Sequence, residues 1–263
     1  MDLSYWQKQT SSSPLFPDIE WNRPERADQA GKLGIIGGNK LSFATIAESY
    51  QLARKTGAGE VRVLLPDALR KTVPPIIEDI RFGASTQSGG LGTEASLELK
   101  SLANWADVLL FIGDAGKNSQ TAILYEEIIK NSTKPTILTR DAIDLVQNSF
   151  PEIIDNPNVH LVLSFAQVQR LFQAVYYPKI LTFSMQLVQL VETLHKFTIT
   201  YPITVVTFHN DKIILSRGGE VVTQDWAEPM LIWRGQVATR SACYLLWSPH
   251  QPLQAIATSL VNN

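Results

Sequence analysis

The sequence predicts an α/β domain in which helices cover both faces of a mainly parallel β-sheet. Two observations predict this fold class. Short apolar or β-branched runs alternate with helical patterns over most of the chain, which is the arrangement of β-α-β units around a parallel sheet. After residue 200 short strands follow one another directly, which indicates an antiparallel meander at one edge of that sheet.

The predicted elements follow in chain order. The first β-α-β unit is a strand at Leu33–Gly37, a helix at Phe43–Lys55 and a strand at Glu60–Leu65. The next strands are Trp105–Ile112, Thr136–Leu138 and Val159–Leu163, and the helices between and after them are Gln120–Lys130, Asp141–Val146, Phe165–Tyr176 and Phe183–Phe197. The meander comprises Ile203–Phe208, Lys212–Ser216 and Glu220–Thr223, and helices at Gln236–Leu246 and Gln251–Val261 follow it.

Length and composition predict one domain preceded by a short arm. With 263 residues, of which 44% are hydrophobic, the chain can bury one large core, and residues 31–263 are interpreted as a single α/β domain. Residues 1–30 contain three consecutive serines together with Pro14, Pro17 and Pro24. This composition predicts an irregular arm that lies on the domain, without a helix or a strand.

Charge and residue usage argue against several classes of function. Lys and Arg number 23 against 25 Asp and Glu, so the net charge of −2 offers no basic field for nucleic acid or for a membrane surface. The sequence shows neither a leader peptide nor a membrane span, and we expect a cytoplasmic protein. Cys243 is the only cysteine and lies in an apolar helical pattern, and the four histidines show no metal-binding spacing, so no metal site is expected.

Two loops that follow strands are the candidate ligand loops. Gly37, Gly38 and Asn39 lie at a strand-to-helix junction, where a helix N-terminus offers N–H groups to an anion, although a tight turn needs the same glycines. Gly113 and Asp114 follow another strand, and Asp114 either faces a substrate hydroxyl or caps the next helix.

Asp141 follows a third strand, where it either caps a helix or contacts substrate. Because ligands of parallel sheets bind beyond the carboxyl ends of the strands, we expect all these residues to lie at one end of the sheet.

Three segments of the chain carry motifs that occur together in one known family. Residues 31–67 contain a strand, a Gly-Gly turn, a helix and G-A-G before the second strand, and residues 106–146 contain I-G-D-A-G-K and later K-P-T-I-L-T-R-D-A-I. With residues 248–257, these segments resemble, in order, the ADP/ATP-dependent NAD(P)H-hydrate dehydratases. The resemblance covers most of the chain and implies a ribokinase-like three-layer αβα sandwich, related to the carbohydrate kinases.

The resemblance also implies a chemistry, and the chain departs from it. Family members use ATP or ADP to dehydrate hydrated NADH or NADPH, which implies a nucleotide with Mg²⁺ and an NAD(P)H-like ligand. Their G-T-G-D sequence holds phosphate at a helix N-terminus and supplies Asp as the base. The matching stretch here includes Gly235 and has Gln236 in place of that Asp, and an amide cannot accept the proton. Gln167 likewise stands where the family's H-P-G-E has a carboxylate, and the family's Lys-Gly pair is missing near Phe208.

These departures predict a fold that is kept and a reaction that is lost. The first hypothesis is a non-catalytic homologue that binds a nucleotide or nucleotide-like metabolite, or serves as a partner subunit, with homo-oligomerisation expected. The second is an active dehydratase or small-molecule kinase with a rearranged site, in which Asp225 or Glu228 supplies the displaced carboxylate. The third is a plain oligomerisation domain. The residue that distinguishes the first two hypotheses is Gln236.

Overall fold

The computed structural model describes residues 3–73 and 75–261, whose strands form one continuous sheet. In chain order the strands are β1 (Trp6–Gln9), β2 (Lys32–Gly37), β3 (Glu60–Pro66), β4 (Ile80–Gly83), β5 (Val108–Gly113), β6 (Thr136–Thr139), β7 (Val159–Leu163), β8 (Thr204–His209), β9 (Lys212–Arg217) and β10 (Glu220–Asp225). Across the sheet they lie in the order β1-β10-β9-β8-β7-β6-β5-β2-β3-β4.

Helices connect most of these strands. In chain order they are α1 (Ala44–Thr56), α2 (Ser96–Trp105), α3 (Ser119–Lys130), α4 (Asp141–Leu145), α5 (Phe150–Ile153), α6 (Phe165–Ala174), α7 (Leu187–Thr200), α8 (Pro229–Trp233), α9 (Gln236–Trp247) and α10 (Pro252–Val261). Short 3-10 helices cover Pro17–Asn22, Ala27–Gln29, Asp67–Leu69, Thr93–Ala95 and Gln147–Ser149.

The pairing of the strands confirms the predicted fold class. Strands β2 to β8 all pair in parallel, whereas β9 is antiparallel to both β8 and β10. The sheet is therefore mainly parallel and carries the antiparallel C-terminal meander that the closely spaced strands predicted.

Helices cover both faces of the sheet, which is why its central strands are apolar throughout. Along β2, Ile35 packs in the core cluster that also contains residues of α1, α9 and α10, and Ile36 packs in the cluster that contains residues of α2, α3, α6 and α7. Successive side chains of a strand point to opposite faces, so every position is buried when both faces are covered. All six residues of β5 are buried for the same reason.

Parts of the predicted secondary structure need correction. The arm at residues 1–30 is not irregular throughout, because Trp6–Gln9 forms an edge strand parallel to β10. Trp105 is the last residue of α2 and does not begin a strand. The edge strand β4 and the helix α2 had not been predicted. Both edge strands are only four residues long and mix polar with apolar residues, so their pattern is weak.

The side chain of Lys134 fastens the amino-terminal edge of the sheet to α2. Its ammonium group donates hydrogen bonds to the carbonyl oxygens of Ala103 and Asn104, each at 2.9 Å, and to that of Ala106. These carbonyls lie at the C-terminus of α2, where a cation also interacts favourably with the helix dipole.

We expect the Lys134→Met variant to lose about 1–3 kcal/mol of unfolding free energy, because three carbonyls lose a charged donor while the length of the side chain is kept. Urea denaturation measures this loss. The matched control is Lys100→Met, which removes a half-exposed ion pair with Glu127 and should change stability by no more than about 1 kcal/mol. Equal effects of the two substitutions would contradict the capping role of Lys134.

Candidate functional site

The loops that follow β2, β5 and β6 meet at the carboxyl end of the sheet. The Gly38 amide donates a hydrogen bond of 3.0 Å to the carbonyl oxygen of Gly113, and the Asn39 side-chain amide donates to the carbonyl oxygen of Ala115 at 3.5 Å. The Gly116 amide donates to Asp141 Oδ2 at 3.0 Å. The predicted loop residues Gly37, Gly38, Asn39, Gly113, Asp114 and Asp141 therefore lie together, and their binding of a ligand stays a prediction.

Asp141 joins the loops after β5 and β6. It is the first residue of α4, and its carboxylate accepts hydrogen bonds from the backbone amides of Gly116 and Asp114, both on the loop after β5. The carboxylate thus binds a neighbouring loop and does not cap its own helix. Burial raises the pKa of Asp141, the two backbone hydrogen bonds lower it, and the carboxylate of Asp114 raises it further.

Asp114 connects the same loop to α1 and to Arg140. One carboxylate oxygen, Oδ2, accepts a hydrogen bond of 3.3 Å from the amide of Thr45, in the first turn of α1, and the other, Oδ1, accepts one of 2.5 Å from Arg140 Nη2. The side chain is only 8% exposed. Asp114 therefore contacts the start of α1 and does not cap the next helix, α3, which is capped by Asn118.

Arg140 lies at the centre of this network, although the sequence interpretation did not select it as a site residue. Its Nη2 binds Asp114, its Nη1 donates a hydrogen bond of 2.6 Å to the carbonyl oxygen of Trp233, and its buried Nε has no partner among the described residues. Its backbone has φ 58° and ψ −137°, and Asp114 also has a positive φ of 56°. Non-glycine residues seldom adopt such angles, and they cluster at functional sites.

Gln167 holds the backbone of Arg140 in place. Its Oε1 accepts a hydrogen bond from the amide of Ser164 at 2.9 Å, and its Nε2 donates to the carbonyl oxygen of Arg140 at 2.8 Å and to Asp144 Oδ1 at 3.1 Å. Since all these bonds lie inside the protein and the residue is only 7% exposed, Gln167 supports the wall of the site.

Gly235 and Gln236 begin α9 beside the same loops. Gly235 precedes the helix with a φ of 79°, and a Cβ at this position would lie 2.4 Å from the side chain of Ile112 in β5. The positive φ and the short distance both favour glycine at position 235, and the close approach brings the first residue of the helix, Gln236, to the end of the central strands. Asp225 lies at the end of β10, three strands from β7, where its exposed side chain pairs with Lys212.

Two adjoining cavities open at this end of the sheet and share Ser164 and Trp233. The first, the polar cavity, has a volume of about 330 Å³, and its lining includes Thr139, Arg140, Asp144, Ser164, Gln167 and Trp233. The second, the aromatic cavity, has a volume of about 480 Å³, and its lining includes Phe165, Phe183, Phe208, His209 and Trp233. The polar cavity thus offers a cation and hydroxyls, and the aromatic cavity offers flat apolar surfaces.

Other candidate chemistry lies outside this site. Cys243 is fully buried in the core, and burial raises the pKa of its thiol to about 12. In residues 3–73 and 75–261, no group of three His, Cys, Asp or Glu side chains is placed to hold a metal ion. Across the same residues, the helices are too short or too polar to cross a membrane.

Comparison with known proteins confirms the resemblance found in the sequence. No protein-family model matches the chain. The bifunctional NAD(P)H-hydrate repair enzyme of Methanothermobacter thermautotrophicus is 26% identical over 146 residues, which cover 53% of this chain but only 28% of that enzyme.

The solved structures that match show the fold. A ribokinase-like superfamily protein from Enterococcus faecalis has a TM-score of 0.71 at 16% identity, with 99% of this chain and 87% of that chain covered. The ADP/ATP-dependent NAD(P)H-hydrate dehydratase of Bacillus subtilis, co-crystallised with ATP and Mg²⁺, has a TM-score of 0.58 at 11% identity, with 94% and 86% covered. The fold of this chain is ribokinase-like.

The close contact between Gly113 and Asp141 leaves no room for a side chain at position 113. Gly113 has a φ of +94°, and a Cβ at this position would lie 2.2 Å from Asp141 Oδ1, whereas Gly218 has a φ of +57° with no atom within 4 Å of a Cβ. We expect Gly113→Ala to destabilise the protein by at least about 1 kcal/mol more than Gly218→Ala, because both substitutions add backbone strain but only the first adds a clash. Denaturant titration compares the two variants, and equal losses would show that the loop moves aside without penalty.

Proposed function

We propose that this protein binds a nucleotide or a nucleotide-like metabolite at the carboxyl end of its sheet and does not carry out the dehydratase reaction. The observation that carries the proposal is Gln236, which begins α9 where the resemblance places the catalytic base. A carboxamide has no proton-accepting group of suitable basicity, and general-base help is typically worth about 10²–10⁴ in rate.

Binding does not need that carboxylate. The first turn of α9 has backbone N–H groups without partners inside the helix, and such groups bind anions whatever the side chain is. The site also contains Arg140, whose guanidinium-bearing side chain lines the polar cavity. ATP and ADP are candidate ligands because the ADP/ATP-dependent dehydratase of Bacillus subtilis that shares this fold was co-crystallised with ATP and Mg²⁺. NADH and NADPH are candidates because the sequence resembles the NAD(P)H-hydrate dehydratases.

Two carboxylates close to the polar cavity are already paired and are not available to a magnesium ion. The carboxylate of Asp114 is bound by Arg140, and that of Asp144 is bound by Arg170 and Gln167. Gln167 itself is an amide whose hydrogen bonds are made within the protein. No step of the proposed function is therefore assigned to a metal ion.

The alternative function is an active dehydratase or small-molecule kinase with a rearranged site. One observation favours it, because Asp141 places at the loop cluster a carboxylate whose pKa burial raises, as general bases often require. Its Oδ1 is buried and has no hydrogen-bond partner among the described residues. Of the two displaced carboxylates considered from the sequence, Asp225 and Glu228, Asp225 is paired with Lys212.

Thermal-shift measurements with ATP, ADP, NADH and NADPH, each with and without magnesium, test the binding part of the proposal. A ligand that binds only the folded state raises the melting temperature as its concentration rises above its dissociation constant. We expect at least one of the four to do so. No stabilisation by any of them at millimolar concentration would refute nucleotide binding and favour a plain oligomerisation domain.

The loss of hydrated NADH in the presence of ATP or ADP and magnesium tests the catalytic part. We expect no turnover by the wild-type protein, and turnover by Gln236→Asp if the rest of the site can support the reaction. Gln51→Asp, the same substitution at an exposed position of α1, is the matched control and should stay inactive. Robust wild-type turnover would refute the proposal and establish the alternative.

A further inference from the structure

We propose that Arg140 is the phosphate-binding residue of the polar cavity, and that the carboxylate of Asp114 fills the position at its guanidinium that the phosphate of a small metabolite takes on binding. This inference rests on the proposed function for the location of the site and deepens it by naming the recognised group and the contact that is exchanged. The ligand class is a phosphate monoester small enough for the polar cavity of about 330 Å³.

The geometry of Arg140 suits this role. A guanidinium group carries five N–H donors in a planar fork that matches two oxygens of a phosphate. Here one donor binds Asp114 and another binds the Trp233 carbonyl, while the buried Nε has no partner among the described residues. The side chain is 26% exposed and lines the polar cavity, so an anion can reach it.

The carboxylates of Asp141 and Asp144, near the polar cavity, are bound by other groups, so Arg140 is the group of the cavity lining that suits an anion. Asp144, the acidic residue in the lining, is paired with Arg170 at 2.7 Å and also accepts a hydrogen bond from Gln167. Asp141 faces the loop after β5, where backbone amides bind it. The remaining polar lining includes the hydroxyl-bearing residues Thr139 and Ser164, which suit a phosphate or an attached sugar.

Asp114 can release Arg140 without being left unpaired. Its Oδ2 keeps the hydrogen bond from Thr45 at the start of α1, where the helix dipole also favours a negative charge. Both members of the pair have a positive φ, a backbone conformation that costs free energy for a non-glycine residue. The carboxylate of Asp114 and an incoming phosphate thus compete for the guanidinium of Arg140. Removing the carboxylate should therefore strengthen phosphate binding, and removing the guanidinium should weaken it.

Isothermal titration calorimetry with ribose 5-phosphate and AMP tests this competition, with ribose and adenosine as probes that lack the phosphate. We expect Asp114→Asn to bind both phosphate esters about tenfold more tightly than the wild type, because the competing charge is removed from a charge-assisted hydrogen bond. Arg140→Gly should bind them at least about tenfold more weakly, since the recognising fork is lost. Ribose and adenosine should show neither change.

Both variants are compatible with the fold. Asparagine adopts positive φ readily and keeps an acceptor for Thr45, and glycine relieves the strain at position 140. The controls for net charge are Asp79→Asn and Lys100→Gln, which each remove one charge of an ion pair outside the cavity and should leave the affinities unchanged.

Several outcomes would overturn the inference. Unchanged or weaker binding by Asp114→Asn would show that Asp114 does not compete with the ligand, and undiminished binding by Arg140→Gly would show that Arg140 does not hold the phosphate. If neither the wild type nor any variant binds either ester, the polar cavity is not a phosphate site and the inference fails. If ATP or NADPH stabilises the wild type while Arg140→Gly binds the esters normally, the proposed function stands and this inference fails. If ribose 5-phosphate binds through Arg140 but AMP, ATP, ADP, NADH and NADPH do not bind, this inference stands and the nucleotide proposal fails.

Discussion

The ion pair between Asp114 and Arg140 is the interaction on which the arrangement of the site depends. Through it the loop after β5 is joined to the loop after β6, and each partner reaches one further element. Asp114 binds the start of α1, and Arg140 binds the Trp233 carbonyl at the end of α8. Four segments that are distant in sequence thus meet at two side chains, and Gln167 fixes the backbone of one of them.

The proposed function needs a scaffold that holds an anion without a catalytic base, and the geometry around this network is compatible with that. The start of α9 lies against the end of β5, as a phosphate site at a helix N-terminus requires, because Gly235 permits the close approach. The side chains around it are an amide, Gln236, and a carboxylate already neutralised by Arg140. The helix start thus provides backbone N–H groups that suit an anion, and Gln236 occupies the position where the resemblance places the base.

Much of the fold could be predicted because its signals are local. The apolar run from Leu33 and the fully buried strand β7 were recognised within a few residues, since a parallel sheet covered on both faces needs continuous apolar strands. The edge strand β1 was missed because its sequence, Trp-Gln-Lys-Gln, gains stability only from pairing with β10, more than 200 residues away. Local pattern contains no information on such pairing.

The candidate site, like the fold, could be predicted only in part. The clustering of Gly38, Gly113 and Asp141 could be predicted, because the carboxyl ends of parallel strands share one edge of a sheet. The role of Arg140 could not, since it depends on a partner 26 residues earlier and on a carbonyl 93 residues later. A helix cap was the natural interpretation of Asp141 from sequence, and it was wrong because the neighbouring loop supplies better-placed amides.

A double-mutant cycle on Asp114 and Arg140 tests whether this ion pair holds the loops of the site together. The unfolding free energies of the wild type, Asp114→Asn, Arg140→Gly and the double variant give the coupling energy of the pair, and the backbone effect of glycine cancels in the cycle. We expect a favourable coupling of about 1–3 kcal/mol, because the two side chains share one hydrogen-bonded network. A coupling within about 0.5 kcal/mol of zero, the additivity of independent sites, would show that the pair does not hold the site together.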